Sequence, residues 1–358
     1  MPNQIDLSII EEFSNANGVS GFEDEVLQIA RKFAPVGSSF SEDSLRNLYI
    51  FRKEHHQGKP VIQLDAHSDE VGFMVHAIKP DGTLRFISLG NWIVNNIPAH
   101  KVRVQNADGV YIPGIVTSKP PHFSSDSGDS HKLSIEQLSI DIGASSKEEA
   151  LHDYKIQIGA PIVPDVSFEY DSSHDVMFGK GFDCRLGCAA IINILRELDG
   201  IELGMDIVGT LSSQEEIGMR GASVSVNRIK PDIAIVFEGC PADDTVVEPY
   251  LVQTAMKHGP MLRHIDACMI TNPRYQRFAL NLAKSLDIPI QESVRTGGAT
   301  DGAPIHLANL GIPAIVIGIP VRYIHTHYGL ASYSDYVNTV KLGVEICRKL
   351  NREQITSF

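Results

Sequence analysis

The chain has 358 residues, a hydrophobic content of 43% and a formal net charge of −13 at pH 7. A chain of this length and hydrophobicity can bury a full core, in one large domain or in two unequal ones. Its acidic balance excludes partners that select basic patches, so we expect binding to neither nucleic acid nor an anionic membrane surface. No apolar run approaches the roughly 18 residues that a membrane-spanning helix needs.

The N-terminus and the cysteines predict a cytoplasmic protein. Residues 1–6 lack the basic segment and apolar stretch that mark a secretory signal. The five cysteines are an odd number and include no CxxC pair. Such usage is typical of reduced thiols in a cytosol rather than of a disulfide framework.

The first residues predict a pair of helices followed by strands. Apolar residues recur at helical spacing over Leu7–Phe13. Ser20-Gly21-Phe22-Glu23 has the pattern of a capping box, which predicts that a second helix begins there. Strand-like segments follow at 47–52 and 61–65.

From about residue 73 the pattern changes to short β-rich pieces separated by turn signals. Pro80-Asp81-Gly82 is one such turn, and residues 101–105 alternate between apolar and polar as a half-buried strand does. We therefore predict that residues 73–164 form a small all-β, barrel-like domain inserted into an α/β domain. The polar run Ser124–His131 is predicted to be a loop within it.

After residue 165, strands and amphipathic helices alternate again. Strands are predicted at 206–211, 233–237 and 313–319, and a helix at 185–198. This alternation predicts a mainly parallel sheet with helices on both faces. Residues 1–72 and 165–358 would together form the α/β domain.

Side chains that can bind a metal follow several of the predicted strands. In open α/β sheets, ligands bind outside the carboxyl ends of the strands, so these side chains are expected to meet at one edge. They are His67 after the strand at 61–65, Asp183 ahead of a helix, Glu215 and Glu216 after 207–211, Glu238 after 233–237, and His325 after 315–319.

Each of these residues alone also has an ordinary structural explanation. Asp183 would serve as a helix N-cap, Glu238 would pair with a lysine or arginine, and Glu215 with its neighbour would form a solvated turn. Together they indicate a hydrolytic metal centre. Mixed nitrogen and oxygen ligands suit Zn²⁺, and also Co²⁺ or Mn²⁺. One bridging carboxylate, two histidines and two further carboxylates suffice for two metals about 3.5–4 Å apart.

Several motifs resemble those of the TET-type aminopeptidases, metallopeptidase family 42, in an order that spans essentially the whole chain. They are Gly18–Glu23, Ala66–Gly72, Gly181–Asp183, Gln214–Gly221, Thr296–Asp301 and Arg322–His325. The resemblance implies a zinc-peptidase fold of the phosphorylase/hydrolase-like type. It also implies hydrolysis of the N-terminal residue of short peptides, in the manner of glutamyl, leucyl or lysyl aminopeptidases. Such enzymes form homo-oligomers, up to a dodecamer built from dimers, in which the β insertion mediates dimerisation.

The resemblance further implies two divalent metal ions per subunit, Zn²⁺ or else Co²⁺ or Mn²⁺. His67 and Glu238 would hold one ion. Glu216 and His325 would hold the other, and Asp183 would bridge the two.

Two further residues receive roles from the resemblance. Glu215 would be the general base that activates the attacking water and then protonates the leaving amine. Asp69, two residues after His67, would orient that histidine. The chain departs from the family pattern at two positions: Glu238 stands where aspartate is usual, and Cys184 follows the bridging aspartate where another polar residue is usual.

Alternative functions use the same residues differently. A metal-dependent carboxypeptidase or N-acyl amino-acid deacylase would need basic groups for a substrate carboxylate, and Arg295 and Arg322 are candidates. Together with Arg220 they are also candidates for a pocket that accepts an acidic first residue. A glycoside hydrolase would use two carboxylates without a metal. A non-catalytic assembly protein with the same fold is a further alternative. The sequence does not distinguish acidic, basic and apolar first residues.

Overall fold

The computed structural model describes residues 5–55, 58–118 and 133–358. The predicted loop at Ser124–His131 lies outside these ranges. The chain divides into two compact units, of which the first comprises Met1–Glu70, Phe168–Ile324 and Tyr328–Phe358, and the second Val71–Ser167 and His325–His327. Among the described residues, no helix combines the length and the hydrophobicity that spanning a bilayer requires.

Strands and helices alternate over most of the first unit, whereas the second unit consists mainly of strands. The strands are β1 (Ser39–Glu42), β2 (Leu48–Phe51), β3 (Val61–His67), β4 (Gly72–Ile78), β5 (Leu84–Leu89), β6 (Lys101–Gln105), β7 (Tyr111–Val116), β8 (Ile140–Asp141), β9 (Pro161–Pro164), β10 (Glu169–Asp171), β11 (Val176–Gly179), β12 (Asp206–Ser212), β13 (Ile233–Pro241), β14 (Met261–Ile265), β15 (Gln291–Val294), β16 (Ala314–Arg322) and β17 (Gly329–Ala331). The helices are α1 (Leu7–Asn15), α2 (Asp24–Phe33), α3 (Lys147–His152), α4 (Phe182–Glu197), α5 (Arg220–Ile229), α6 (Pro273–Ser285), α7 (Gly302–Leu307), α8 (Tyr333–Lys349) and α9 (Arg352–Ser357).

The strands of the first unit form one mixed sheet. Its order is β1-β2-β12-β3-β13-β16-β17-β11-β10, and β14 and β15 extend from β16. The central strands β12, β3, β13 and β16 are parallel to one another, whereas β2 and β17 flank them in antiparallel orientation. The carboxyl ends of the four central strands therefore lie at the same edge, which is where ligands bind in sheets of this kind. The predicted fold class is confirmed.

Side chains of β13 alternate between two apolar layers. Ile235 and Phe237 belong to the layer that contains α4 and α8, whereas Ala234 and Val236 belong to the layer that contains α5 and α7. Successive side chains of a strand point to opposite faces of the sheet. The central strands are thus covered by helices on both faces, which explains why they appear in the sequence as continuous apolar runs.

The second unit contains a closed barrel of strand order β4-β5-β8-β7-β6-β9. Its interior is apolar, and Phe73 within it has no exposed surface. The Phe73 ring stacks on Trp92 at a centroid distance of 4.7 Å and meets Phe86 edge-on at 4.9 Å. The inserted barrel predicted from the sequence is confirmed, and the second unit also contains the short helix α3.

The capping-box prediction at the start of α2 is wrong. Glu23 is the N-cap residue, but α2 has no side-chain capping hydrogen bond. Instead, the Ser20 hydroxyl donates to Asp69 Oδ2 at 2.5 Å, and Glu23 Oε1 accepts from the backbone N–H of Gly21 at 2.7 Å and of Gln214 at 3.2 Å. Ser20 and Glu23 therefore form hydrogen bonds with the segments around Asp69 and Gln214, which lie next to predicted metal ligands, rather than capping α2.

Candidate metal centre

The elements of the first unit bring most of the predicted ligands to one edge of the sheet. His67 is the last residue of β3, and Glu238 lies within β13, which continues three residues beyond it. Glu215 and Glu216 occupy the turn that follows β12. Because β12, β3 and β13 are adjacent and parallel, the side chains at their carboxyl ends lie close together.

Asp183 reaches this edge from the start of α4. Asp183 and Cys184 have non-helical backbone angles, so the regular helix begins at the predicted residue 185. A glycine in β13 allows the close approach, because a Cβ atom at Gly239 would lie 2.7 Å from the Asp183 Cα atom. The backbone of Asp183 therefore packs directly against the strand that carries Glu238.

The distances around His67 show how tightly these side chains cluster. His67 Nε2 lies 3.1 Å from Asp183 Oδ1, 3.7 Å from Glu238 Oε1 and 4.0 Å from Glu215 Oε2. Ligand atoms of His67, Asp183, Cys184 and Glu238 all lie within 4.8 Å of one another, and so do those of His67, Glu215 and Glu216. One imidazole nitrogen thus faces several carboxylate groups in a space the size of a metal coordination sphere.

His325 is the one predicted ligand outside the first unit. It lies three residues beyond the end of β16, in the short segment His325–His327 that groups with the second unit. Its backbone is in the left-handed region, with φ of 58°. Non-glycine residues in this conformation are uncommon and concentrate at functional sites.

Asp69 organises the edge more widely than the sequence indicates. The His67 Nδ1 atom lies 3.0 Å from the Asp69 backbone oxygen and 3.4 Å from its carboxylate. The carboxylate also accepts hydrogen bonds from the backbone N–H groups of Glu215 at 2.9 Å and of Glu216 at 3.2 Å. Burial alone would raise the pKa of Asp69, but the hydrogen bond and charge of His67 outweigh it and lower that pKa.

The other carboxyl groups at this edge have raised pKa values. Burial is the main cause for Glu215, Glu216 and Glu238, and the negative charge of Asp183 adds to it. The pKa of Glu238 rises to about 7, and those of the other two rise well above their usual range. For His67, burial disfavours protonation, but contacts with Asp183 and Asp69 raise its pKa well above the usual value.

Such a cluster requires a cation or several bound protons, because an uncompensated buried charge is costly. Glu238 is only 5% exposed, and its Oε2 atom has no hydrogen-bond partner among the described residues. A buried carboxylate oxygen without a donor, beside an imidazole nitrogen and further carboxylates, matches the donor set that divalent metals bind. The residues at this edge therefore fit a metal centre.

A buried ion-pair network that the sequence analysis missed supports the ligand segments. Lys180 Nζ lies 2.5 Å from Glu70 Oε1 and donates to the Ala16 carbonyl oxygen at 2.7 Å. Arg185 donates to the carbonyl oxygen of Phe13 at 2.9 Å and lies 3.5 Å from Glu70. These two cations flank Asp183, and Glu70 follows Asp69, so the network ties the two ligand-bearing segments together. The sequence signal that could have indicated this network is Lys180, which stands between two glycines immediately before a buried helix.

The arginines considered for substrate recognition are mostly paired with acids. Arg322 makes two hydrogen bonds to the Asp244 carboxylate, at 2.6 and 3.0 Å. Arg295 lies 3.0 Å from Asp243. Arg220 is exposed at the start of α5. Because carboxylates of the chain already neutralise Arg295 and Arg322, neither is well suited to bind a substrate carboxylate.

Comparisons with known proteins show which family this chain resembles. A family model described as M42 glutamyl aminopeptidase matches residues 47–342. The lysyl aminopeptidase of Pyrococcus furiosus is 30% identical to this chain. The alignment covers 98% of this chain and 99% of that protein.

Solved structures show the same relationship. The TET aminopeptidase from a marine sediment archaeon of the Thaumarchaeota has a TM-score of 0.92 and 35% identity, over 98% of this chain and 99% of that one. The Pyrococcus horikoshii TET1 peptidase, which can assemble into a tetrahedron or a large octahedral shell, has a TM-score of 0.86 and 25% identity, over 96% and 99%. This chain belongs to the M42 glutamyl aminopeptidase family and is a metalloaminopeptidase, a hydrolase.

Proposed function

We propose that this enzyme removes the N-terminal residue from short peptides with two divalent metal ions and Glu215 as general base. The observation that carries the proposal is the cluster around His67, where Asp183 and Glu238 share one group of potential ligands and Glu215 and Glu216 share another. When bound, two divalent ions polarise the scissile carbonyl and lower the pKa of water, so that a strong nucleophile forms at neutral pH.

The ligands divide between the two ions according to the family pattern. His67 and Glu238 would hold one ion, Glu216 and His325 the other, and Asp183 would be shared. The 3.1 Å contact of His67 with Asp183 and the 3.7 Å contact with Glu238 support the first part of this assignment. The position of His325 just beyond β16, a strand paired with β13, supports the second. The nitrogen and oxygen donors suit Zn²⁺, and also Co²⁺ or Mn²⁺.

Glu215 is the side chain best placed to move a proton. Its Oε2 atom lies 4.0 Å from His67 Nε2, beside the ligands rather than among the residues assigned to hold an ion. Its backbone N–H is fixed by Asp69, and burial raises the pKa of its carboxyl group well above the usual range. A carboxylate with a raised pKa can accept a proton from the attacking water and return it to the departing amine.

The alternative reactions receive less support from the geometry. A carboxypeptidase would need a free cation for the substrate carboxylate, and Arg295 and Arg322 are paired with Asp243 and Asp244. A glycosidase needs carboxyl groups roughly 5–9.5 Å apart on either side of a sugar. Here oxygens of Asp183 and Glu238 lie within 4.8 Å of each other, and so do oxygens of Glu215 and Glu216, which favours shared metal ligands.

We further propose that the chain forms a homo-oligomer, a dodecamer built from dimers, in which residues 73–164 mediate dimerisation. We also propose that it acts in the cytoplasm. The assembly of the TET1 peptidase into closed shells supports the first proposal. The five cysteines form no disulfide with one another, which supports the second.

The test is hydrolysis of Glu-, Leu-, Lys- and Ala-p-nitroanilides after chelation and after addition of Zn²⁺, Co²⁺ or Mn²⁺. N-acetylated substrates serve as the matched control, because they lack the free amino group. We expect metal-restored cleavage of the free substrates alone, and the preferred substrate identifies the first-residue specificity. Cleavage that survives chelation, or that is equal for the acetylated substrates, would contradict the proposal.

A further inference from the structure

Cys184 lies inside the candidate metal centre although it is not among the residues that the family pattern assigns to it. Its Sγ atom belongs to the group of potential ligand atoms that also includes His67, Asp183 and Glu238, all within 4.8 Å of one another. The side chain is fully buried. Its thiol donates a hydrogen bond to the backbone oxygen of Phe237 at 3.0 Å, immediately before Glu238 in β13.

The surroundings hold this sulfur in place. A Cβ atom at Gly187 would lie 2.4 Å from Cys184 Sγ, so the next turn of α4 packs directly against the thiol. The Phe237 carbonyl contacts it from β13. The sulfur is therefore packed between helix α4 and strand β13, beside the ligand cluster.

A second observation indicates that a cation belongs beside this sulfur. The Glu238 Oε2 atom is buried and has no hydrogen-bond partner among the described residues. Its other oxygen, Oε1, lies 3.7 Å from His67 Nε2. An imidazole nitrogen, two carboxylates and a sulfur in one cluster form a mixed N, O and S donor set, which Zn²⁺ and the softer Cd²⁺ accept more readily than Mn²⁺ or Mg²⁺ does.

We propose that Cys184 is an additional ligand of the metal held by His67 and Glu238 and makes that site selective for thiophilic ions such as Zn²⁺ and Cd²⁺. The inference rests on the proposed two-metal function. On binding, the thiol releases its proton to solvent, its hydrogen bond to the Phe237 oxygen is lost, and a sulfur–metal bond forms. No oxidant or reductant takes part, because the sulfur keeps its oxidation state.

The chain supplies a matched control one helical turn further along α4. Cys188 is also fully buried, and its thiol donates to the His67 backbone oxygen at 3.1 Å. Unlike Cys184, it is not among the potential ligand atoms of the described residues. Serine at either position keeps a hydroxyl donor for the same carbonyl oxygen, so comparable effects on folding are expected.

The experiment uses the full chain, stripped of metal and reloaded with Co²⁺, in wild-type, Cys184→Ser and Cys188→Ser forms. A thiolate bound to Co²⁺ gives a near-ultraviolet charge-transfer band. We expect this band in the wild type and in Cys188→Ser, and its loss in Cys184→Ser. Competition titrations should show the Cd²⁺ dissociation constant rising at least about tenfold in Cys184→Ser alone, while the Mn²⁺ constant changes less than about twofold.

The outcomes separate this inference from the proposed function. If Co²⁺ restores hydrolysis but the wild type shows no charge-transfer band, the thiol remains a hydrogen-bond donor to Phe237 and the inference is overturned, while the aminopeptidase proposal stands. Equal Cd²⁺ affinities for the wild type and Cys184→Ser would overturn it as well. If Co²⁺ neither binds nor restores hydrolysis, both proposals fail.

Discussion

The two units of this chain bury different kinds of side chain. In the second unit, the described residues include no buried Asp, Glu, Lys or Arg, and the barrel interior is filled by apolar groups. The first unit buries Asp69, Glu70, Lys180, Arg185 and Glu238. Packing alone can stabilise the barrel, whereas the first unit depends on charged groups finding partners, because unpaired buried charges are strongly unfavourable. The site that can perform chemistry is therefore also the region most easily destabilised.

The largest expected effect concerns catalysis in the first unit. Glu215→Gln keeps the size of the side chain but removes the carboxylate that would carry the proton. We expect kcat to fall by roughly 10²–10⁴ with little change in metal content. As a control from the other unit, Glu136→Gln at an exposed position between β7 and β8 should leave kcat within about twofold. A Glu215→Gln enzyme of near wild-type kcat would show that the proton is carried by another group.

The next largest effect concerns buried and exposed ion pairs. Lys180→Met leaves Glu70 buried beside one weaker partner, Arg185, and should lower the free energy of unfolding by about 3 kcal/mol. Lys155→Met breaks the exposed pair with Asp108 in the second unit, for which we expect a loss below about 1 kcal/mol. Urea unfolding of both variants measures the difference. Equal losses of unfolding free energy in the two variants would mean that the buried Glu70 network stabilises the chain no more than an exposed ion pair does.

The buried acid Glu23 should make the stability of the first unit depend on pH. Burial, with a contribution from Asp69, raises its pKa from 4.5 to about 7. Between these values the folded chain holds a proton that the unfolded chain has released, so stability decreases as the pH rises from about 4.5 to 7, by on the order of 2–3 kcal/mol. Glu23→Gln keeps an acceptor for the Gly21 and Gln214 N–H groups without the charge. Its metal-free unfolding free energy should therefore change less over this range. An unchanged pH dependence would show that Glu23 does not take up a proton on folding.

The smallest expected effect belongs to the barrel core. Ile162 is fully buried in β9, and Ile162→Val should lower the free energy of unfolding by about 1 kcal/mol through loss of one methylene group. Because the described barrel residues bury no acid, this loss should be independent of pH between 5 and 8, in contrast to the behaviour expected of Glu23. Urea midpoints at two pH values within this range provide the comparison.

Local sequence patterns predicted a large part of the fold. The strand at 61–65 and the helix at 185–198 were identifiable because burial on both faces leaves continuous apolar runs and a helical face leaves a regular spacing. The barrel insertion was identifiable from alternation and turns. The order of strands in the sheet could not be predicted, because it depends on pairing between distant segments. For example, β3 and β12 pair although they lie more than a hundred residues apart.

The site was only partly predictable for the same reason. Glutamates and histidines after strands indicate the edge at which ligands meet, and the structure brings His67, Asp183 and Glu238 together there. The contact of Lys180 with Glu70 joins positions 110 residues apart and has no local signature. Ser20 and Glu23 fit a local motif, yet tertiary contacts with the ligand loops override it.

The number of metal ions bound at the sheet edge tests the proposed two-metal site most directly. Chelator-stripped protein would be equilibrated with Zn²⁺ by dialysis and its metal content measured, for the wild type and for Glu238→Ala. We expect about two ions per wild-type chain and about one in the variant, with loss of Leu- or Glu-p-nitroanilide hydrolysis. A wild type that binds no zinc, or a variant that binds as much as the wild type, would contradict the assignment of this edge as the metal centre.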